Sequence, residues 1–175
     1  GGAFLPEDLI KVLKKLENQS SYLEWAEIKK QIPAEWLSEL HIQEDALAAA
    51  SLGQVHTFKK DGKLYCMKIQ YRGVRKAINN DIRTLKLLLR LFRFVPSGID
   101  LNPMFIEIKK MLLLETDYLQ EAQSTLNFKE LLKNESSFVI PNVLTEYSND
   151  KILTTEFING ESIHDVESLN LSQDE

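Results

Sequence analysis

Cysteine is almost missing from this chain: Cys66 is the only one in 175 residues. A single thiol excludes an intrachain disulfide and a thiolate-rich metal site, and it favours a reducing compartment. Histidine is also scarce. His41, His56 and His164 lie far apart, without metal-ligand spacing, so each is expected to be structural or exposed, and no metal site is expected. Long apolar runs are lacking. Leu87–Leu89 and Met111–Leu114 fall far short of the roughly 20 residues that span a bilayer. No basic-then-apolar leader opens the chain, so a secreted product is not expected, and the location expected is cytoplasmic or peripheral to a membrane. Nor is there a basic excess. The formal net charge of −5 argues against general nucleic-acid binding, which needs cations to neutralise phosphates.

What is present suits one globular domain, with 43% apolar and 27% charged residues. Leu5 to Leu16 predicts a helix, with Pro6 in its first turn and Leu9, Ile10, Leu13 and Leu16 at helical spacing. Further helices are expected over Ser21 to Gln31 and Glu35 to Leu40. The texture then changes to the small-residue stretch Ala46 to Ser51, expected to be a loop. Gln54 to Phe58 and Leu64 to Ile69 flank Lys60-Asp61-Gly62, and an Asp-Gly turn between two β-prone runs predicts a hairpin. Ala77 to Phe94 predicts a helix with the stripe Ile78, Ile82, Leu85, Leu89 and Phe92. A long helical stretch follows from Pro103 to Leu132, broken near Thr116 to Tyr118. Strands are expected at Phe138 to Ile140, Asn142 to Glu146 and Ile152 to Phe157, with Asn149-Asp150 as a turn. This order predicts an α+β fold with an antiparallel sheet and helices on one side.

Three features acquire meaning together. They are the alanine-rich stretch, the strand lysine Lys68, and a carboxylate on a later helix, for which Glu115, Asp117 and Glu121 are candidates. A loop over phosphates needs small residues so that backbone and nucleotide approach closely. A strand lysine supplies positive charge to the phosphates, and a helix glutamate holds it in place. Each feature alone is bland, since a strand lysine usually points to solvent and alanine runs usually pack. On a continuous helix Asp117 and Glu121 would share one face and repel, and a nearby cation would offset that cost.

The specific strings narrow the field. Ala48-Ala49-Ala50-Ser51-Leu52-Gly53-Gln54-Val55-His56 and Met67-Lys68-Ile69-Gln70-Tyr71-Arg72-Gly73-Val74 closely resemble the UbiB family of atypical kinases. So do Glu115-Thr116-Asp117-Tyr118-Leu119-Gln120-Glu121-Ala122 and Leu153-Thr154-Thr155-Glu156-Phe157-Ile158-Asn159-Gly160. The resemblance covers about Phe4 to Val166. It implies a helical N-terminal extension over 1–43, a kinase-like small, ATP-facing lobe over 44–161, and the start of a connection to a large lobe over 162–175.

It also implies roles. Ala48, Ala49, Ala50 and Ser51 would form the alanine-rich loop over the nucleotide. Lys68 would face the phosphates with Glu121 as its partner, and Glu115 and Asp117 would form the family's Glu-x-Asp motif. Glu156, Phe157 and Ile158 would be the hinge beside the adenine. The implied ligand is ATP or ADP with Mg²⁺, and the implied setting is quinone (coenzyme Q) lipid metabolism, mitochondrial in a eukaryote.

Several family features fall outside these residues. The Lys-x-Gly-Gln motif, the His/Asp catalytic loop and the Asp-Phe-Gly motif are not in the sequence. No catalytic residue is therefore assigned within the chain, which is expected to be a truncated piece that cannot transfer phosphoryl groups alone. A lobe cut from its neighbour would expose apolar surface and tend to self-associate. Arg83, Lys86, Arg90 and Arg93 form a basic face, either a solvated surface or a contact for anionic lipid headgroups. The alternative to an enzyme lobe is a non-catalytic regulatory or lipid-binding pseudokinase module.

Overall fold

The computed structural model describes residues 22–80, 82–91, 98 and 100–158, with isolated helical positions at 7, 9–11 and 14. The helix expected over Leu5 to Leu16 is seen only at those positions, of which Leu9 is buried. The tail from 159 onward, His164 and Arg93 lie outside the described residues.

Four strands form one antiparallel sheet in the order β1-β2-β3-β4. They are β1 (Ala48–Ala50), β2 (Gly53–Lys60), β3 (Lys63–Gln70) and β4 (Ile152–Glu156). The β2–β3 hairpin closes where the sequence placed it. Asp61 and Gly62 have φ of 52° and 77°, the pair of positive values that lets a two-residue turn follow the twist of its strands.

The expectation of a loop over Ala48 to Ser51 is corrected. Ala48–Ala50 is a strand, with Ala48 opposite Val55 and Ala50 opposite Gly53, and the turn shrinks to Ser51-Leu52. Leu52 sits at φ 58°, unfavourable for a branched side chain, but that side chain is fully buried. Alanine has little strand preference of its own. Pairing with β2 decides the outcome.

The register divides the sheet into two faces. Val55, Lys68 and Leu153 are mutual partners on one face, as are Thr57, Cys66 and Thr155. Gln54, His56, Phe58, Met67 and Ile69 lie on the other. This second face carries the main core, where Phe58 stacks on Tyr65 at 5.4 Å and meets the edge of Tyr147 at 6.0 Å.

The N-terminal segment covers that second face. It contains α1 (Trp25–Ile28), a 3-10 turn over Lys29–Gln31, and α2 (Ala34–Glu39). The single helix expected over Ser21 to Gln31 is thus a short helix that tightens before Pro33. Trp36 meets Tyr147 edge-on at 5.7 Å, and Tyr147 donates to Glu39 at 2.9 Å.

After β3 come α3 (Val74–Asn80), α4 (Ile82–Leu91), α5 (Phe105–Glu115) and α6 (Tyr118–Leu131). The stripe members Ile78, Leu85 and Leu89 are buried as expected. Arg83, Lys86 and Arg90 are exposed. The predicted break between α5 and α6 is present at Thr116-Asp117.

Two expected strands are absent. Phe138 and Val139 lie exposed in an irregular link. Val143 makes a single bridge to Thr155, and Thr145–Tyr147 is a 3-10 turn. Pro141 has no N–H to give a ladder, so a continuous strand cannot run through it. Asn149 does turn the chain into β4, its Oδ1 accepting from Lys151 N at 2.8 Å and Ile152 N at 2.9 Å. Helices on one side only is also corrected, because α1 meets one face of the sheet and α6 the other.

Candidate functional site

The face opposite the main core carries the chemistry. Lys68 sits in the second half of β3, and its side chain is 5% exposed. A strand lysine so deeply buried requires a counter-charge. Its Nζ donates to Glu121 Oε1. The same ammonium lies 4.9 Å from the centroid of the Tyr118 ring, whose negative face adds attraction. Tyr118 and Glu121 are both in the first turn of α6, three residues apart, which puts them on one side of the helix.

That first turn is built locally. Asp117 is the N-cap, and its Oδ1 accepts from Gln120 N at 3.0 Å, satisfying one of the donors a helix start leaves open. Glu121 then lies where the positive end of the helix favours a carboxylate. The continuous helix on which Asp117 and Glu121 were expected to share a face is absent. The chain breaks before Asp117, which caps α6. Glu115 ends α5, half-buried, with no cation partner among the described residues.

Close approach of α6 to the sheet depends on Gly53. A Cβ there would lie 2.4 Å from the carbonyl oxygen of Ile69 and 3.0 Å from Tyr118 Oη. Glycine is required by space, not by backbone angle. Beside Lys68, Ala50, Val55 and Cys66 form a separate small apolar cluster with Ala48 and Phe157 packed on it. Burial pushes the Cys66 thiol up to about 11, so it is a small packing residue and not a reactive thiolate. The hydroxyls of Ser51, in the β1–β2 turn, and Thr155, opposite Cys66, are buried without a hydrogen-bond partner among the described residues.

The expected hinge residues leave β4 at the edge of this cluster. The Glu156 amide donates to Asn142 O at 3.0 Å and the Phe157 amide to Leu64 O at 2.9 Å. The Glu156 carboxylate accepts from Asn142 Nδ2 at 2.9 Å. Ala48, Ala50, Lys68, Glu121 and Phe157 are thus gathered on one side of the sheet. Ala49 points to the other side, and Ser51 lies in the turn beyond β1.

Some residues that hold the sheet around the site were given no role by the sequence. Gln54 and His56, fully buried on the opposite face, tie β2 to the N-terminal segment. Gln54 accepts from Leu23 N at 2.8 Å and donates to Leu23 O at 3.0 Å. Because His56 Nδ1 meets the carbonyl of Gln43 at 2.8 Å, it must donate, so Nε2 accepts from Gln54 Nε2 at 2.9 Å. Their signal was a pair of polar residues at alternate positions of β2, on either side of Val55. Gln70 gave no signal at all.

Comparison with known proteins agrees with this geometry. The family model described as the ABC1 atypical kinase-like domain matches residues 15–175. The chain belongs to the ABC1 atypical kinase-like family. Among its relatives, the probable serine/threonine-protein kinase abkA of Dictyostelium discoideum is 33% identical over 98% of this chain and 33% of its own length. The mitochondrial atypical kinase COQ8 of Saccharomyces cerevisiae is 31% identical over 91% of this chain and 33% of its own. The chain therefore spans about a third of these relatives. A solved structure of Rv3197 with erythromycin, from Mycobacterium tuberculosis, superposes with a TM-score of 0.60 at 24% identity, covering 93% of this chain and 43% of that one. That likeness supports the fold alone. As an ABC1 chain, the protein is an α+β kinase-like small lobe, the UbiB-type fold the sequence strings predicted. No described helix is long and apolar enough to cross a membrane.

Proposed function

We propose that this chain is the nucleotide-binding lobe of a UbiB-type atypical kinase or ATPase, taking ATP or ADP and serving quinone (coenzyme Q) lipid metabolism. The observation that carries the proposal is the buried Lys68–Glu121 pair, set on the same sheet face as a small apolar cluster that includes Ala50 of the alanine strand. Lys68 would meet the phosphates and Glu121 would hold its ammonium in place. Ala48 to Ser51 would cover the phosphates as a hairpin, and the Ala50, Val55, Cys66 and Phe157 cluster would lie against the base.

Since the amides of Glu156 and Phe157 are already engaged, the base would be met by the Ile158 amide or by hinge carbonyls. No group of three metal donors occurs among the described residues. Mg²⁺ would arrive with the phosphates. The mitochondrial names of the COQ8 relatives support a mitochondrial setting if the source is eukaryotic. Exposed Arg83, Lys86 and Arg90 would favour contact with anionic headgroups.

Thermal denaturation with and without Mg²⁺-ADP or Mg²⁺-ATP tests the reading. The wild-type chain is expected to gain stability with nucleotide, and Lys68→Ala to lose most of that gain. Equal gains in both proteins would remove Lys68 from the site.

A further inference from the structure

Strand β3 grips α6 with two side chains. Lys68 and Gln70 are two residues apart and share a face. While Lys68 pairs with Glu121, Gln70 Nε2 donates to the main-chain carbonyl of Thr116 at 2.9 Å, one residue before the cap of α6. Both partners are buried, Gln70 at 3% and Thr116 at 0% exposure. Gln70 is itself held at both backbone groups, its amide donating to Lys151 O at 2.9 Å and its carbonyl accepting from Gln31 Nε2 at 3.1 Å. Thr116 is fixed in turn, its hydroxyl donating to Leu113 O at 2.8 Å.

We infer that Gln70 is a positioning residue for the Lys68–Glu121 pair. The chain breaks between α5 and α6, and a helix that starts after a break can pivot on it. The ion pair alone joins two flexible side chains and tolerates such a pivot. The amide-to-carbonyl bond joins a rigid strand to the main chain at the joint, and so fixes where the first turn of α6 begins. It is also uncharged. Phosphates that compete with Glu121 for the lysine leave the Gln70 bond intact, and the helix keeps its place while the ammonium is shared.

The affinity arm of the test rests on the nucleotide reading; a second arm does not. Titration calorimetry with Mg²⁺-ADP is run on the chain, on Gln70→Met (similar volume, no donor), on Glu121→Gln and on the double variant. Gln70→Met is expected to weaken binding about five- to tenfold, and the double variant to bind no more weakly than Glu121→Gln alone. Unchanged affinity in Gln70→Met, or penalties that multiply, overturns the inference. A merely structural role would lower the melting temperature without that non-additivity.

In the second arm, acetic anhydride labelling of Lys68 is compared with exposed Lys63 in nucleotide-free protein well below melting. Gln70→Met is expected to raise the Lys68 rate several-fold while leaving Lys63 unchanged. If the wild-type chain binds no nucleotide, the nucleotide reading fails and the labelling decides: an unchanged Lys68 rate overturns the positioning role. Should Gln70→Met fail to fold, Gln70→Asn, which keeps the amide but withdraws it by one methylene, carries both arms with the same readings.

Discussion

Lys68 and Glu121 share one ion pair but not one environment: the lysine side chain is 5% exposed and the glutamate 25%. Loss of either partner removes this contact from the other. Taking it from the more deeply buried ammonium costs more than taking it from a carboxylate that water can reach. Glu121→Gln is therefore expected to destabilise the chain by about 2–4 kcal/mol and Lys68→Met by about 1–2 kcal/mol. Urea denaturation of both variants checks the order, and the reverse order would contradict the burial difference.

His56 predicts an acid sensitivity. Burial lowers its pKa below the ordinary 6.5, partly opposed by the Gln43 carbonyl and by Asp45. The unfolded chain thus takes up the proton first. Stability is full above about 6.5 and falls as pH drops below it, by at most about 1.4 kcal/mol per pH unit for this group. His56→Gln keeps one donor and one acceptor and cannot titrate. Its melting temperature should fall less between pH 7.5 and 5.5 than that of the wild type, and identical falls would clear His56 of the effect.

Asp117 predicts a cap effect. Asp117→Ala removes the acceptor for Gln120 N and should cost about 1 kcal/mol, whereas Asp117→Asn should retain most of the stability. Thermal unfolding followed by circular dichroism separates the two. Equal losses would mean that charge, not the cap bond, supplies the stabilisation.

Gly53 predicts a steric one. The atom nearest an added Cβ is main chain, the carbonyl oxygen of Ile69, and cannot swing aside. Gly53→Ala is expected to destabilise by roughly 2 kcal/mol or more. Adding Tyr118→Phe should not restore it. Rescue by that second change would show that the tyrosine hydroxyl, not the strand backbone, sets the limit.

The hairpin and the joint between α5 and α6 were legible because their signals are local. Asp61-Gly62 accepts the two positive φ values that a short turn needs, and the apolar spacing lapses at Thr116 to Tyr118. Lys68 was legible as a strand lysine, but Glu121 was singled out from Glu115 and Asp117 as its partner only by four strings in a fixed order. Ala48 to Ala50 and Phe138 to Ile140 were misjudged for a shared reason: strand formation depends on a partner strand, and short apolar runs do not say whether one is available.

The sequence by itself determined the residue types, the turn chemistry and the family strings, all properties of neighbours along the chain. Tertiary structure alone decided that residues 53 apart in sequence would form one buried ion pair. It also decided that Gln70 would reach Thr116, and that Gln54 and His56 would anchor the N-terminal segment on the opposite face. Those contacts follow from strand register and from where α6 begins, and register is settled only when the sheet's two faces find their separate coverings.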